Sequence, residues 1–178
     1  SNATLNATQG LTVSGGAHLR AINNSTVTAD VLVGSKGVLD IAGDSTVNGD
    51  ITVSGGVLQY ESGCLRVEGT LTLDGACSFD VSNIKKEGLY TLMIYDGLVG
   101  NIDQLEVVYG SSVRTQAELI STDSGLMLSI EGFSRVLNWR SGATGTWQND
   151  GVTTWNYDST TSTYADGDAV SFTGGGTV

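Results

Sequence analysis

Apolar and polar residues alternate in short runs along most of the chain, and the runs return at a fixed interval. From Leu11 the sequence falls into rows of twenty: LTVSGGAHLRAINNSTVTAD, VLVGSKGVLDIAGDSTVNGD, ITVSGGVLQYESGCLRVEGT and LTLDGACSFDVSNIKKEGLY. The first column reads Leu11, Val31, Ile51, Leu71, and the third reads Val13, Val33, Val53, Leu73. The seventeenth holds Val27, Val47 and Val67 before it fails at Glu87. Columns four to six look like turns in every row: Ser14-Gly15-Gly16, Gly34-Ser35-Lys36, Ser54-Gly55-Gly56 and Asp74-Gly75-Ala76. Alternation of period two puts successive side chains on opposite faces of a strand, so each row predicts strands with one apolar face.

A coil of about twenty residues cannot bury its apolar face alone, but stacked coils can. Stacking sets each column above itself at about 4.8 Å, with the backbone paired along the stack. The pattern therefore predicts an all-β fold, a right-handed parallel β-helix of two to three short strands per coil. The glycine-rich columns form its corners, where positive φ or close backbone approach is needed. Row three is out of step. Leu58 and Tyr60 carry its alternation one residue early, which predicts a shortened first corner and an extra residue near Glu61–Cys64. Without that compensation a one-residue slip would turn the strand inside out.

After residue 88 the period dissolves, yet strands are still predicted at Leu89–Tyr95, Leu105–Tyr109, Arg114–Ile120 and Gly125–Ile130. The expected organisation is coils over 4–90, terminal coils or an irregular or antiparallel β cap over 91–136, and a Trp-rich β unit over 137–178. Residues 1–3, Ser1-Asn2-Ala3, read as the remnant of a cleaved expression tag. With a C-terminus that reads as mid-sequence, they suggest an excised piece of a longer protein.

Composition narrows the function classes. The 178 residues include 19 acidic and 8 basic side chains, a net charge of −11, which a phosphate backbone repels, so no nucleic-acid partner is expected. No apolar stretch is long enough to cross a membrane as a helix, and no membrane contact is expected. Proline is absent, as suits many short strands that need every N–H for a ladder. Cys64 and Cys77 are too few for a structural zinc site, and read either as small core side chains or as a disulfide.

The texture LTVSGG…STVNGDITVSGG resembles the passenger regions of bacterial autotransporter proteins. The segment Phe79–Glu131, with its G-x-YTL and closing L-x-L-x-I-x-G, resembles a module of large autotransporter-like repeat proteins. The stretch LNWRSGATGTWQNDGVTTWNYDSTTSTYADGDAVSF resembles the Trp-rich unit that precedes strand repeats in the same proteins, so that Val170–Phe172 would begin the next coils. The resemblance implies a parallel β-helix on the extracellular face of a bacterial outer membrane. Its partners would be neighbouring coils of the same parent protein, and host or environmental glycans or proteins. Its motifs are architectural and bring no catalytic residue with them.

Candidate chemistry is sparse, and no catalytic residue, cofactor or metal is assigned. Trp139, Trp147 and Trp155 suit either a small hydrophobic cluster or a row that stacks on sugar rings. Column ten, with Arg20, Asp40, Tyr60 and Asp80, is where a β-helix polysaccharide lyase would place an outward charged stack, though an ordinary surface ladder explains it as well. Asp30 and Asp50 share column twenty. With Asp44 and Asn24 they suggest calcium only if carboxylates and carbonyls converge. His18 is expected to face solvent or to take a place in a ladder. Asn6-Ala7-Thr8 and Asn24-Ser25-Thr26 match the glycosylation sequon. The leading expectation is a non-enzymatic structural or adhesive module, followed by a carbohydrate-binding module and then a lyase.

Overall fold

The computed structural model describes residues 3–109, 116–132, 136–139, 155–157, 160–162 and 168–171. They fall into two units, one within 1–110 and 117–130, the other within 111–116 and 131–178.

The first unit is a β-solenoid of stacked parallel coils. Its first rung holds β1 (Thr4–Asn6), β2 (Leu11–Val13) and β3 (His18–Ile22). Above it come β4 (Ser25–Thr28), β5 (Val31–Val33) and β6 (Val38–Ala42), then β7 (Ser45–Asn48), β8 (Ile51–Val53) and β9 (Val57–Ser62). The fourth rung is β10 (Leu65–Leu73), which bends through two faces, and β11 (Cys77–Asp80). The fifth is β12 (Gly88–Val99) and β13 (Leu105–Val108), and the unit ends with β14 (Gln116–Thr122) and β15 (Gly125–Glu131). Three parallel ladders result: β1-β4-β7-β10-β12, β2-β5-β8-β10-β12 and β3-β6-β9-β11-β13.

The column register is the observed register. Leu11, Val31, Ile51 and Leu71 pair in sequence, as do Val13, Val33, Val53 and Leu73. Val27, Val47 and Val67 form the third inward column, continued by Tyr95 rather than Glu87. The residues between β11 and β12 lengthen this coil, which is why the period is lost there. The expected boundary at residue 91 thus falls inside β12, and parallel pairing continues to Val108. On the first face β15 then runs antiparallel to β12, with β14 beside it. The interior is Val31, Val33, Leu39, Ile41, Val47, Ile51, Leu58, Phe79 and their neighbours, all withdrawn from water. Burying each such side chain contributes about 1.5–3 kcal/mol.

The slip in row three is resolved as expected. Val38 pairs with Val57 and Ile41 with Tyr60, and a bulge at Glu61 then sets Ala42 against Ser62. A bulge restores register by leaving one residue unpaired. Tyr60 is consequently an interior residue, and its hydroxyl donates to Gly63 O at 2.9 Å.

Corner side chains stitch the rungs together. Asp30 Oδ1 accepts from Asp50 N at 3.0 Å, and Asp50 Oδ1 accepts from Thr70 N at 2.8 Å. At another corner Asn23 Oδ1 accepts from Asp44 N at 3.2 Å, and Asp44 Oδ1 from Cys64 N at 2.9 Å. Each bond satisfies a backbone donor where the chain leaves its ladder, and a glycine precedes each donor: Gly49, Gly69, Gly43 and Gly63. Replacing Asp50 by Ala is expected to lower unfolding free energy by about 1–2 kcal/mol, because the Thr70 N–H loses a charged acceptor. Asp50→Asn, which keeps a carbonyl acceptor as Asn23 does, should lose less. Urea denaturation followed by far-UV circular dichroism measures both.

The second unit is a four-stranded sheet of β16 (Val136–Trp139), β17 (Trp155–Tyr157), β18 (Thr160–Ser162) and β19 (Ala169–Ser171), in the order β18-β17-β16-β19. The first two pairings are antiparallel and β16–β19 is parallel. Leu137, Trp139 and Trp155 make its buried cluster, with Val170 packed against them. Val170, expected to open a further coil with the residues after it, pairs with Leu137 in this sheet, and residues 172–178 lie outside the described residues.

Candidate functional site

Three surfaces carry the residues that sequence reasoning singled out. The first is the outer face of the ladder β3-β6-β9-β11-β13. Its register is Arg20, Asp40, Gln59, Asp80, so Tyr60 does not join the outward stack expected of column ten. The shortened corner before Val57 pairs Tyr60 with Ile41 and so turns it inward, and the Glu61 bulge restores the register after it. The Arg20 guanidinium forms an ion pair with Glu61, reaching across the rung that carries Asp40. Asp40 is therefore only 7% exposed although it lies on the outside of the coil. Its Oδ2 is 3.3 Å from His18 Nδ1, and its Oδ1 is buried without a hydrogen-bond partner. His18, expected to face solvent, does so, while one ring nitrogen is held by Asp40. Such a contact orients an imidazole and favours one tautomer. Glu61, which sequence reasoning gave no role, sets this surface. The row-three slip was the signal that could have found it.

The second surface follows the corner columns. Asp30, Asp44 and Asp50 each point a carboxylate oxygen at a backbone N–H of the next rung, so these oxygens are engaged in rung-to-rung bonding. Among the described residues no three His, Cys, Asp or Glu side chains gather as a metal site would require. Asn24, Asp44, Cys64, Thr26, Thr46, Arg66 and Ile94 line a shallow depression of about 450 Å³. Among the described residues Arg66 is the cation that lines it, and Glu68 holds it at 2.7 Å. Asn24, in the sequon, sits at this corner with φ of 56°, and Asn6 is exposed at the end of β1.

Cys64 and Cys77 are both free thiols. Cys77 is interior and its Sγ lies 3.2 Å from Val53 O. Burial, then the Asp44 carboxylate, pushes the Cys64 thiol above its ordinary value of 9.0. Burial, with smaller contributions from Cys64, Tyr90 and Asp44, pushes the Tyr60 phenol above 10.0. Both groups hold their protons more tightly folded than unfolded. Their contribution to stability is therefore present below pH 9 and lost as pH rises through the folded values. Melting temperature should fall as pH rises above 9. In Tyr60→Phe that fall should be shallower, against a loss of about 1 kcal/mol at neutral pH from the missing bond to Gly63.

The third surface is the tryptophan unit. Trp139 and Trp155 meet edge to face, with centroids 5.1 Å apart and planes at 86°. They are 3% and 1% exposed, so neither ring presents a face to solvent. Stacking on a sugar needs such a face. The two rings are what the sheet is built around, and Trp147 lies outside the described residues. The chain matches no protein-family model, no curated protein and no solved structure.

Proposed function

We propose that the chain is a non-enzymatic structural and adhesive module of a secreted or cell-surface protein, one that extends or displays an autotransporter-like passenger from a bacterial outer membrane. The observation that supports this reading is the use made of its polar side chains. Corner carboxylates bond to the backbone of the next rung, and Arg20 is tied to Glu61 two rungs away. Side chains that elsewhere do chemistry are engaged here in holding coil to coil. Its partners are then the neighbouring coils of the parent protein, and glycans or proteins met at the cell surface.

Two measurements test the reading. Antibodies raised against the chain should label intact cells of the source bacterium, and labelling only after lysis would overturn surface display. The purified chain should leave a broad panel of polysaccharides uncleaved, with tryptophan emission unchanged. Cleavage that disappears in Arg20→Ala or Asp40→Ala would replace the structural reading with a lyase. A saturable change in emission with one glycan would replace it with a carbohydrate-binding module centred on the tryptophan unit.

A further inference from the structure

Residues 81–87, between β11 and β12, are the excursion that lengthens the fourth coil. Its start is pinned to the coils. Val81 N donates to Val108 O at 2.7 Å, Ile84 N donates to Val81 O at 3.0 Å, and both side chains are buried. Beyond Ile84 the hold is different. Lys85, Lys86, Glu87, Gly88 and Leu89 are all exposed, Leu89 to 60%. Lys85 Nζ donates to Ser82 O, and Lys86 O accepts from the Tyr90 hydroxyl at 2.8 Å, so these two anchors are local. A segment held by local contacts opens at low cost while the rest stays folded. Exposed loops of this kind are where proteases nick a folded chain.

The same segment carries the one place in the sequence where two basic residues adjoin, Lys85-Lys86. The other basic side chains of the first unit, among the described residues, are Arg20, Lys36 and Arg66, and each is committed elsewhere. Arg20 and Arg66 lie within β3 and β10 and are tied to Glu61 and Glu68. Lys36 is exposed, but it stands at a corner with φ of 60°. Gly16 N donates to Lys36 O at 2.9 Å, and Gly37 N donates to Gly34 O at 2.8 Å. That backbone cannot be drawn out as a strand without breaking a bond to the rung below.

We propose that Lys85-Lys86 is a processing site for a serine protease that recognises basic side chains, and that the cut chain stays assembled. Such an enzyme holds the Lys side chain against a carboxylate in its specificity pocket. Its serine oxygen attacks the lysine carbonyl carbon, the peptide C–N bond breaks, and the following residue leaves as an amine carrying the proton taken from the serine. Water then attacks the acyl-serine ester, the lysine gains a free carboxylate, and the serine recovers its proton. The broken bond lies outside every ladder. On either side of it the pieces remain joined by β10 against β12 and by β11 against β13. Leu65, Val67, Leu71 and Phe79 on one piece, with Met93 and Tyr95 on the other, stay buried. The cut therefore divides the chain without taking the coils out of register.

Brief digestion of the folded whole chain with trypsin, followed by mass analysis of the fragments, tests this. Within residues 1–109 the first cut should fall after Lys85 or Lys86. The nicked protein should elute from a sizing column in native buffer as the uncut chain does, and its pieces should separate in urea. The double variant Lys85→Gln, Lys86→Gln should lose the cut with its melting temperature unchanged, because both side chains are exposed. Lys85→Arg with Lys86→Arg should keep it. A first cut at Arg20, Lys36 or Arg66, bonds at Lys85 and Lys86 that resist until the chain unfolds, or pieces that part in native buffer would each overturn the proposal. None of these results bears on surface display, which antibody labelling decides separately.

Discussion

Replacing Gly37 with alanine is expected to destabilise the coil unit by about 3 kcal/mol, while the same change at Gly75 should cost about 1 kcal/mol. A Cβ at Gly37 would lie 2.0 Å from Val13 O and 2.5 Å from Val13 C. Both are backbone atoms of the neighbouring rung, so no side-chain rotation relieves the clash. The same peptide is committed on every side. Gly37 N donates to Gly34 O, Gly37 O accepts from Val57 N, and Val13 O accepts from Gly34 N. Moving the rung enough to admit a methyl group strains bonds on three consecutive coils. Gly75 occupies a corner too, with φ of +82°, but no atom lies within 4 Å of where its Cβ would stand. Its replacement meets only the cost of a left-handed backbone. Urea unfolding of the two variants measures the difference, and equal losses would show that the rungs yield to steric pressure.

Trp155→Ala is expected to unfold the second unit while leaving the coils intact. Trp155 is 1% exposed and lies against Trp139 and Leu137, which with it make the buried cluster of that sheet. Truncating a buried tryptophan removes about 3–5 kcal/mol. Among the described residues Leu137, Trp139 and Trp155 are its buried cluster, and a small unit has little stability beyond such a loss. All three tryptophans lie in 137–178, so their fluorescence reports this unit alone. In the variant, the emission of Trp139 should shift to the red and proteolysis should cut within 137–178. Far-UV circular dichroism of the coils should melt as in the parent chain. A single transition shared by both units would show that they unfold together.

The candidate surfaces were less legible in the sequence than the fold, and particular residues show why. Column ten placed Arg20 above Asp40 correctly, but it placed Tyr60 where Gln59 stands, because a corner shortened by one residue moves the strand between faces and the later bulge at Glu61 restores the row count. Asp30 and Asp50 were recognisable as stacked carboxylates. That each would reach a backbone N–H one rung on depended on the glycine before that N–H, which lets the side chain come close. The tryptophans at 139 and 155 were recognisable as a cluster. Their edge-to-face contact, and the burial that denies them a sugar-binding face, follow from β16 and β17 pairing antiparallel.

By itself the sequence determined the period of twenty, the inward columns headed by Leu11, Val13 and Val27, and the sites of the corners. These depend on alternation along the strand and on repetition along the chain, both one-dimensional properties. The tertiary structure alone decided where the lengthened fourth coil closes and that Tyr95 inherits the column of Val67. It also decided which glycines have backbone pressed against them, and that Arg20 reaches Glu61 across Asp40. Those outcomes depend on how one rung sits on the next. Contacts between rungs join residues about twenty apart at distances of a few ångströms, and neither composition nor spacing fixes a distance.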